Sequence, residues 1–151
     1  MSADLRQYRP IKVVGSFTCP LGTVDILDAA VRDQDFAAFT RPNDDWDLES
    51  DGSGNATRVG NENETAELAV TISASSPTNA KLSKIAKLDK ELGTGVGVLL
   101  LEDKNGDSKI EMRGAFIARV PDITFGAQRG VRVWRFKALK GDHFAGGHDL
   151  A

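Results

Sequence analysis

The sequence predicts a mainly β domain, an antiparallel sandwich or barrel with one flanking α-helix over about residues 77–92. Three observations carry this expectation. Apolar and polar residues alternate along several segments, the pattern of strands with one face on a core. Glycine-rich turns separate those segments. Only one stretch exchanges the two-residue rhythm for a helical one. A chain of 151 residues with 40% hydrophobic and 27% charged residues is most simply a single globular domain, residues 1–151.

Taken in order, Ile11, Val13, Gly15 and Phe17 fall on one face of a first strand, and "CPLG" turns it into a second near residues 24–27. In "DWDLESDGSGNATRVG", residues 45–60, Asp45, Asp47 and Glu49 alternate with Trp46 and Leu48. The glycine-rich turn after them leads into a second short run. This reads as a hairpin with Trp46 and Leu48 on the core and a row of carboxylates on the other face. Ala66, Leu68, Val70 and Ile72 alternate with polar or small residues and form the clearest half-buried strand.

The helix lies in "SSPTNAKLSKIAKLDKELGTG". Ser76 suits the N-cap, Pro77 the first helical position and Gly93 the residue after the C-terminus. Leu82, Ile85, Ala86, Leu88 and Leu92 make the apolar stripe, interrupted by Lys81 and Asp89. Lys81, Lys84, Lys87 and Lys90 precess around the helix rather than lining one face, so they read as solvated.

"VGVLLLED" has the length of a strand buried on both faces. Asn105-Gly106 is a preferred pair for a two-residue type I′ hairpin. It leads into a long strand with Ile110, Met112, Gly114, Phe116, Ala118 and Val120 on one face. "FGAQRG" turns the chain into a last strand, "VRVWRFKAL". Residues 1–10 read as an N-terminal arm and residues 141–151, without periodicity, as an extended tail.

Composition excludes several functions. The net charge of −3 argues against gripping nucleic acid, which rewards a basic surface. No apolar run approaches the roughly 20 residues of a membrane span, so no membrane anchor is expected. The N-terminus is polar with no apolar segment after it, and the expectation is a protein that folds in a cytoplasm. The single Cys19 rules out an internal disulfide and a cysteine-based zinc site. The sequons at residues 55–57 and 63–65 then carry no meaning.

Several strings imitate chemistry. Asp103, Asn105 and Asp107 match the first three alternate ligands of a calcium loop, but the sixth and twelfth positions are Ser108 and Gly114 instead of glycine and glutamate. The stretch reads instead as a hairpin tip. His143 and His148 lie in a glycine-rich segment without an orienting second shell. Cys19 has no histidine near it in sequence. "GTGVG" precedes no helix and so is no phosphate loop. Trp46, Trp134, Phe116 and Phe136 read as core aromatics ahead of a binding platform. No nucleophile, base and orienter come together, so neither an enzyme nor a cofactor is expected.

Long hairpins leave unpaired strand edges, which must be covered or joined to another subunit. A head-to-tail interface whose rotation closes makes a ring, and hairpins joined around it make a barrel without edges.

"SSPTNAKLSKIA", after an alternating strand, resembles the bacteriophage tail tube proteins of contractile-tailed phages. The later order "RGAFIARVPDITFGAQRGVRVWRFKALKGD" is similar to the same family. The opening "GSFTCPLGTVDILDAA" and the acidic hairpin with "DGSG" at its turn take the places of matching segments there. The likeness runs from about residue 11 to 147, and its strongest string is "SPTNAKLS".

The resemblance implies a structural virion protein that is not an enzyme. Hexameric rings stack into a tail tube, and hairpins from every subunit merge into a barrel around a lumen. The partners implied are other copies of the chain, the tail sheath, the tape-measure protein, the baseplate and tail terminator proteins. Double-stranded DNA passes without specific binding. The location implied is the virion tail, assembled in the host bacterial cytoplasm. On this reading Asp45, Asp47 and Glu49 face the lumen. Asn105, Gly106, Asp142, His143 and Phe144 are candidates for contacts between subunits or rings. The helix lies outside the barrel toward the sheath. Two alternatives stand beside it: a type VI secretion or pyocin-like tube subunit, and a monomeric carbohydrate- or calcium-binding β-sandwich module.

Overall fold

Along the chain run β1 (Val13–Cys19), β2 (Gly22–Asp25), β3 (Ala37–Thr40), β4 (Trp46–Ser50) and β5 (Ala56–Gly60). There follow β6 (Ala66–Ser73), α1 (Thr78–Leu92), β7 (Gly97–Asp103), β8 (Lys109–Arg119) and β9 (Val131–Phe144). The structure is a computed structural model and describes residues 5–28, 30–32 and 34–150. Seven strands make one antiparallel sheet in the order β2-β1-β7-β8-β9-β6-β3, and β4 with β5 forms a separate two-stranded ribbon. The mainly β class with a single flanking helix is therefore as expected.

The large sheet curls on itself. Phe17 of β1 meets Phe136 of β9 edge-on at 5.4 Å, although two strands lie between them in the sheet. Inside the curl, Leu68, Val70 and Ile72 of β6 pack with Leu99, Met112, Trp134 and Phe136, all fully buried. Period-two alternation puts each of these on the inner face. Burying one such side chain stabilises by about 1.5–3 kcal/mol, and this repeated contribution holds the curl closed.

Helix α1 closes the core from one side through Thr78, Leu82 and Ile85. Pro77 sits at the N-cap, and the Ser76 hydroxyl accepts from the Thr78 amide at 3.1 Å. Gly93 takes the left-handed conformation at φ 69° and ends the helix, its amide donating to the Asp89 carbonyl. The Asp89 carboxylate accepts from the Gly95 amide at 2.8 Å, which explains an acid inside the apolar arc. Leu88 and Leu92 of the expected stripe are exposed.

Four further expectations are corrected. β7 is buried on one face only: Leu99 and Leu101 point inward, while Val98 and Leu100 are exposed. In β8 the inward set changes phase at Gly114 (φ 64°), so Met112 is followed inward by Ala115 rather than Phe116. No described non-glycine residue has positive φ, so Asn105-Gly106 is not a type I′ turn; five residues separate β7 from β8. The expected tail from residue 141 is strand as far as Phe144, with Gly141 to Phe144 paired against Met112 to Lys109. Gly141 is buried against Ala66 and Phe39, where any side chain would collide.

Candidate assembly surfaces

The β4–β5 ribbon is built by its turn. Asp51 Oδ1 accepts from the Ser53 amide at 2.9 Å, the Ser53 hydroxyl at 2.8 Å and the Asn55 amide at 3.3 Å, and Oδ2 accepts from the Asn55 side chain. These donors, the Ser53 hydroxyl foremost, favour the carboxylate and lower its pKa from 3.8 to about 2. Gly52 and Gly54 take φ of 81° and 94°, conformations that suit residues without a Cβ.

Neither face of the ribbon meets the core. Trp46 is 53% exposed and Leu48 77%, which corrects the expectation that they pack inward. Alternation here marks two unlike faces, both outside the subunit core. On the first, the Arg58 guanidinium lies 3.7 Å from the Trp46 ring centroid, with Leu48 opposite Arg58. On the second, Asp47 and Glu49 alternate in step, opposite Val59 and Thr57. Asp45 precedes the strand and its carboxylate is held by Arg41 at 2.8 Å, so the free carboxylate pair consists of Asp47 and Glu49.

At another edge, the N-terminal arm and the C-terminal segment are knitted onto the β7–β8 turn. The hub is Asn105, only 4% exposed. Its Oδ1 accepts from the Arg9 amide at 2.7 Å and its Nδ2 donates to the Arg9 carbonyl at 2.9 Å. The Asp149 amide donates to the Asn105 carbonyl at 2.7 Å, and Gly106 pairs with His148. His148 stacks on Tyr8 at 4.7 Å with its Nε2 3.2 Å from Asp103 Oδ2. The residues around Arg9 and those from 146 to 150 are therefore docked on their own subunit, not free segments.

The calcium-like residues are engaged in the same clasp. Asp103 Oδ1 accepts from the Asn105 amide and side chain, and Asp107 Oδ1 accepts from the Gly147 amide. Nearby, His143 packs on Phe39 with centroids 5.0 Å apart, and Phe144 is exposed at the end of β9. Asp142 lies opposite Glu111. The Arg113 guanidinium is held above its ordinary pKa by the Glu111 hydrogen bond (2.8 Å) and charge, with a smaller effect from Asp142.

Two further features lay outside the sequence reading. A cavity of about 480 Å³ lies beside the clasp, with Val13, Phe36, Leu68, Leu101 and Ile110 among its walls. Arg32 stiffens one side by donating to the carbonyls of Pro10, Val13 and Leu27 and lying 4.7 Å from the Phe36 ring centroid. The other feature is the β8–β9 connection, where Val120, Ile123 and Phe125 are exposed, Phe125 to 88%. Val120, expected on the inward face of β8, lies beyond its end, and Ile123 and Phe125 are apolar residues in a turn with no core to face.

No protein-family model matches the chain, and no curated protein sequence matches it. Solved structures share its fold. The anti-feeding prophage cap, described as the AFP tube terminating cap, matches with TM-score 0.61 at 10% identity over 97% of this chain and 96% of that one. A chain of the PVC sheath-tube complex, an extracellular contractile injection system in its extended state, matches with TM-score 0.61 at 11% identity over 92% of each. At such identities the likeness establishes a common fold.

Proposed function

We propose that the chain is a structural, non-enzymatic subunit of a contractile tail or contractile injection particle, and within that class a tube subunit whose hexameric rings stack into a conduit. The observation that carries this reading is the extent of the shared fold. The two neighbours are named for a tube terminating cap and a sheath-tube complex, and each match spans more than nine tenths of both chains. The exposed ribbon supports it, since a two-stranded hairpin with no core contact is marginal alone and gains stability by pairing with another copy.

In this reading copies of the chain are the first partners, with sheath, tape-measure, baseplate and terminator proteins as the others. Assembly takes place in the host cytoplasm. The Asp47–Glu49 face of the ribbon lines the channel. Duplex DNA carries one phosphate charge per about 1.7 Å, so a basic wall would retain it, and carboxylates let it pass. Screening confines their repulsion to about 10 Å at moderate salt. The reading covers a phage tube carrying DNA and an injection-system tube carrying other cargo alike.

Negative-stain electron microscopy with sedimentation of the purified protein tests the reading. Hexameric rings or hollow cylinders are expected. A single-copy particle at every concentration would refute it.

A further inference from the structure

The cavity and the Phe125 loop lie at opposite ends of one strand. Lys109 and Ile110, which open β8, line the cavity; Arg119, which ends β8, leads into the loop. Eleven strand residues at about 3.3 Å each separate them by roughly 30 Å. The apolar knob and the apolar socket of one chain therefore cannot meet. Those of two copies in the same orientation can.

We infer that the β8–β9 loop of one copy seats Phe125 in the cavity of the next, joining copies head to tail along the direction of β8. The socket has the volume for an aromatic ring and its neighbours, being within the roughly 300–1,000 Å³ of ordinary ligand pockets. Its depth is apolar, set by Val13, Phe36, Leu68 and Leu101.

Charge favours the same pairing. At the rim, Asp35, Glu102 and Asp103 exceed Lys109 and Arg32 by one negative charge, and the Arg32 donors are spent on backbone carbonyls. The loop end carries Arg119, Arg129, Arg132 and Arg135 against Asp122. An acidic rim thus receives a basic collar around an apolar knob. Because the two surfaces differ, the contact repeats without using itself up, and a chain of copies grows along one axis. This contact rests on the self-assembling reading above and specifies how successive copies meet.

The test uses Gln34→Cys at the socket rim and Gly126→Cys beside the knob, where a side chain has open space and Phe125 is kept; native Cys19 is buried at 8% exposure and stays silent. An equimolar mixture of the two single variants, mildly oxidised, is expected to give a disulfide-linked dimer of unlike copies. The double variant is expected to give a ladder of covalent oligomers. Phe125→Asp should keep the wild-type melting temperature while raising the concentration needed for stacking about tenfold or more. Stacked particles that form without cross-links, or that tolerate Phe125→Asp, overturn this contact and leave the tube reading standing. Wild-type protein that never assembles overturns both.

Discussion

The indole Nε1 of Trp134, near the start of β9, donates to Asn79 Oδ1 on the first turn of α1 at 2.9 Å. Asn79 Nδ2 in turn donates to the carbonyls of Ser73 at 2.8 Å and Ser76 at 3.1 Å. One side chain thus ties the helix, the end of β6 and the core tryptophan together. That gives Asn79 in "SPTNAKLS" a structural role that a residue lacking both an amide donor and acceptor could not fill.

Asn79→Ala leaves the buried indole donor and the Ser73 carbonyl without these partners. The expected loss is about 1–3 kcal/mol, measured by denaturant unfolding. Asn79→Asp keeps the acceptor and loses the donors, so it should fall between wild type and alanine.

Gly114 permits the phase change of β8 at φ 64°. A Cβ there would sit in the left-handed region and meet the Leu139 side chain at 3.1 Å. Gly114→Ala should cost about 1–2 kcal/mol from backbone conformation alone. An unchanged unfolding midpoint would show that the bend does not depend on glycine.

The Asp51 carboxylate sets a pH response at the ribbon tip. Its folded pKa, about 2, lies below the ordinary 3.8. Depression means that its contribution to turn order is fully present above about pH 4 and is lost as pH falls through about 2. Carboxyl-detected NMR titration should find this midpoint, and Asp51→Asn should abolish the pH dependence of the Ser53 and Asn55 amide signals.

Asp47→Lys with Glu49→Lys reverses the charge of one ribbon face while leaving the subunit core untouched, since both residues are exposed. Tubes are expected to form normally and, in a DNA-carrying particle, to eject more slowly, with the delay shrinking at high salt. Ejection at the wild-type rate would remove these carboxylates from the channel.

The β6 strand was legible because its two faces differ throughout, and α1 because Ser76, Pro77 and Gly93 mark its ends chemically. Burial within the subunit was harder to read at Trp46 and Leu48. Alternation reports that two faces differ, not which face meets the core. At Val98 and Leu100 a continuous apolar run concealed an exposed side. In β9 the inward set slips by one residue between Ala138 and Gly141, and Gly141 has no side chain, so the alternation ends before the strand does. The clasp at Asn105 joins it to Arg9, 96 residues before it, and to Asp149, 44 residues after it, for which local sequence carries no signal. Of the candidate surfaces, the acidic ribbon was visible as alternation, while the knob and socket required three-dimensional placement.

Arg6 and Leu150 are ladder partners beside the Asn105 hub. A few added residues would span that gap and make the backbone continuous. Reopening the chain at the "DGSGN" tip would give a permuted protein with the same sheet order. New ends would then emerge from the ribbon, so a reporter peptide appended there would monitor whatever space the ribbon enters.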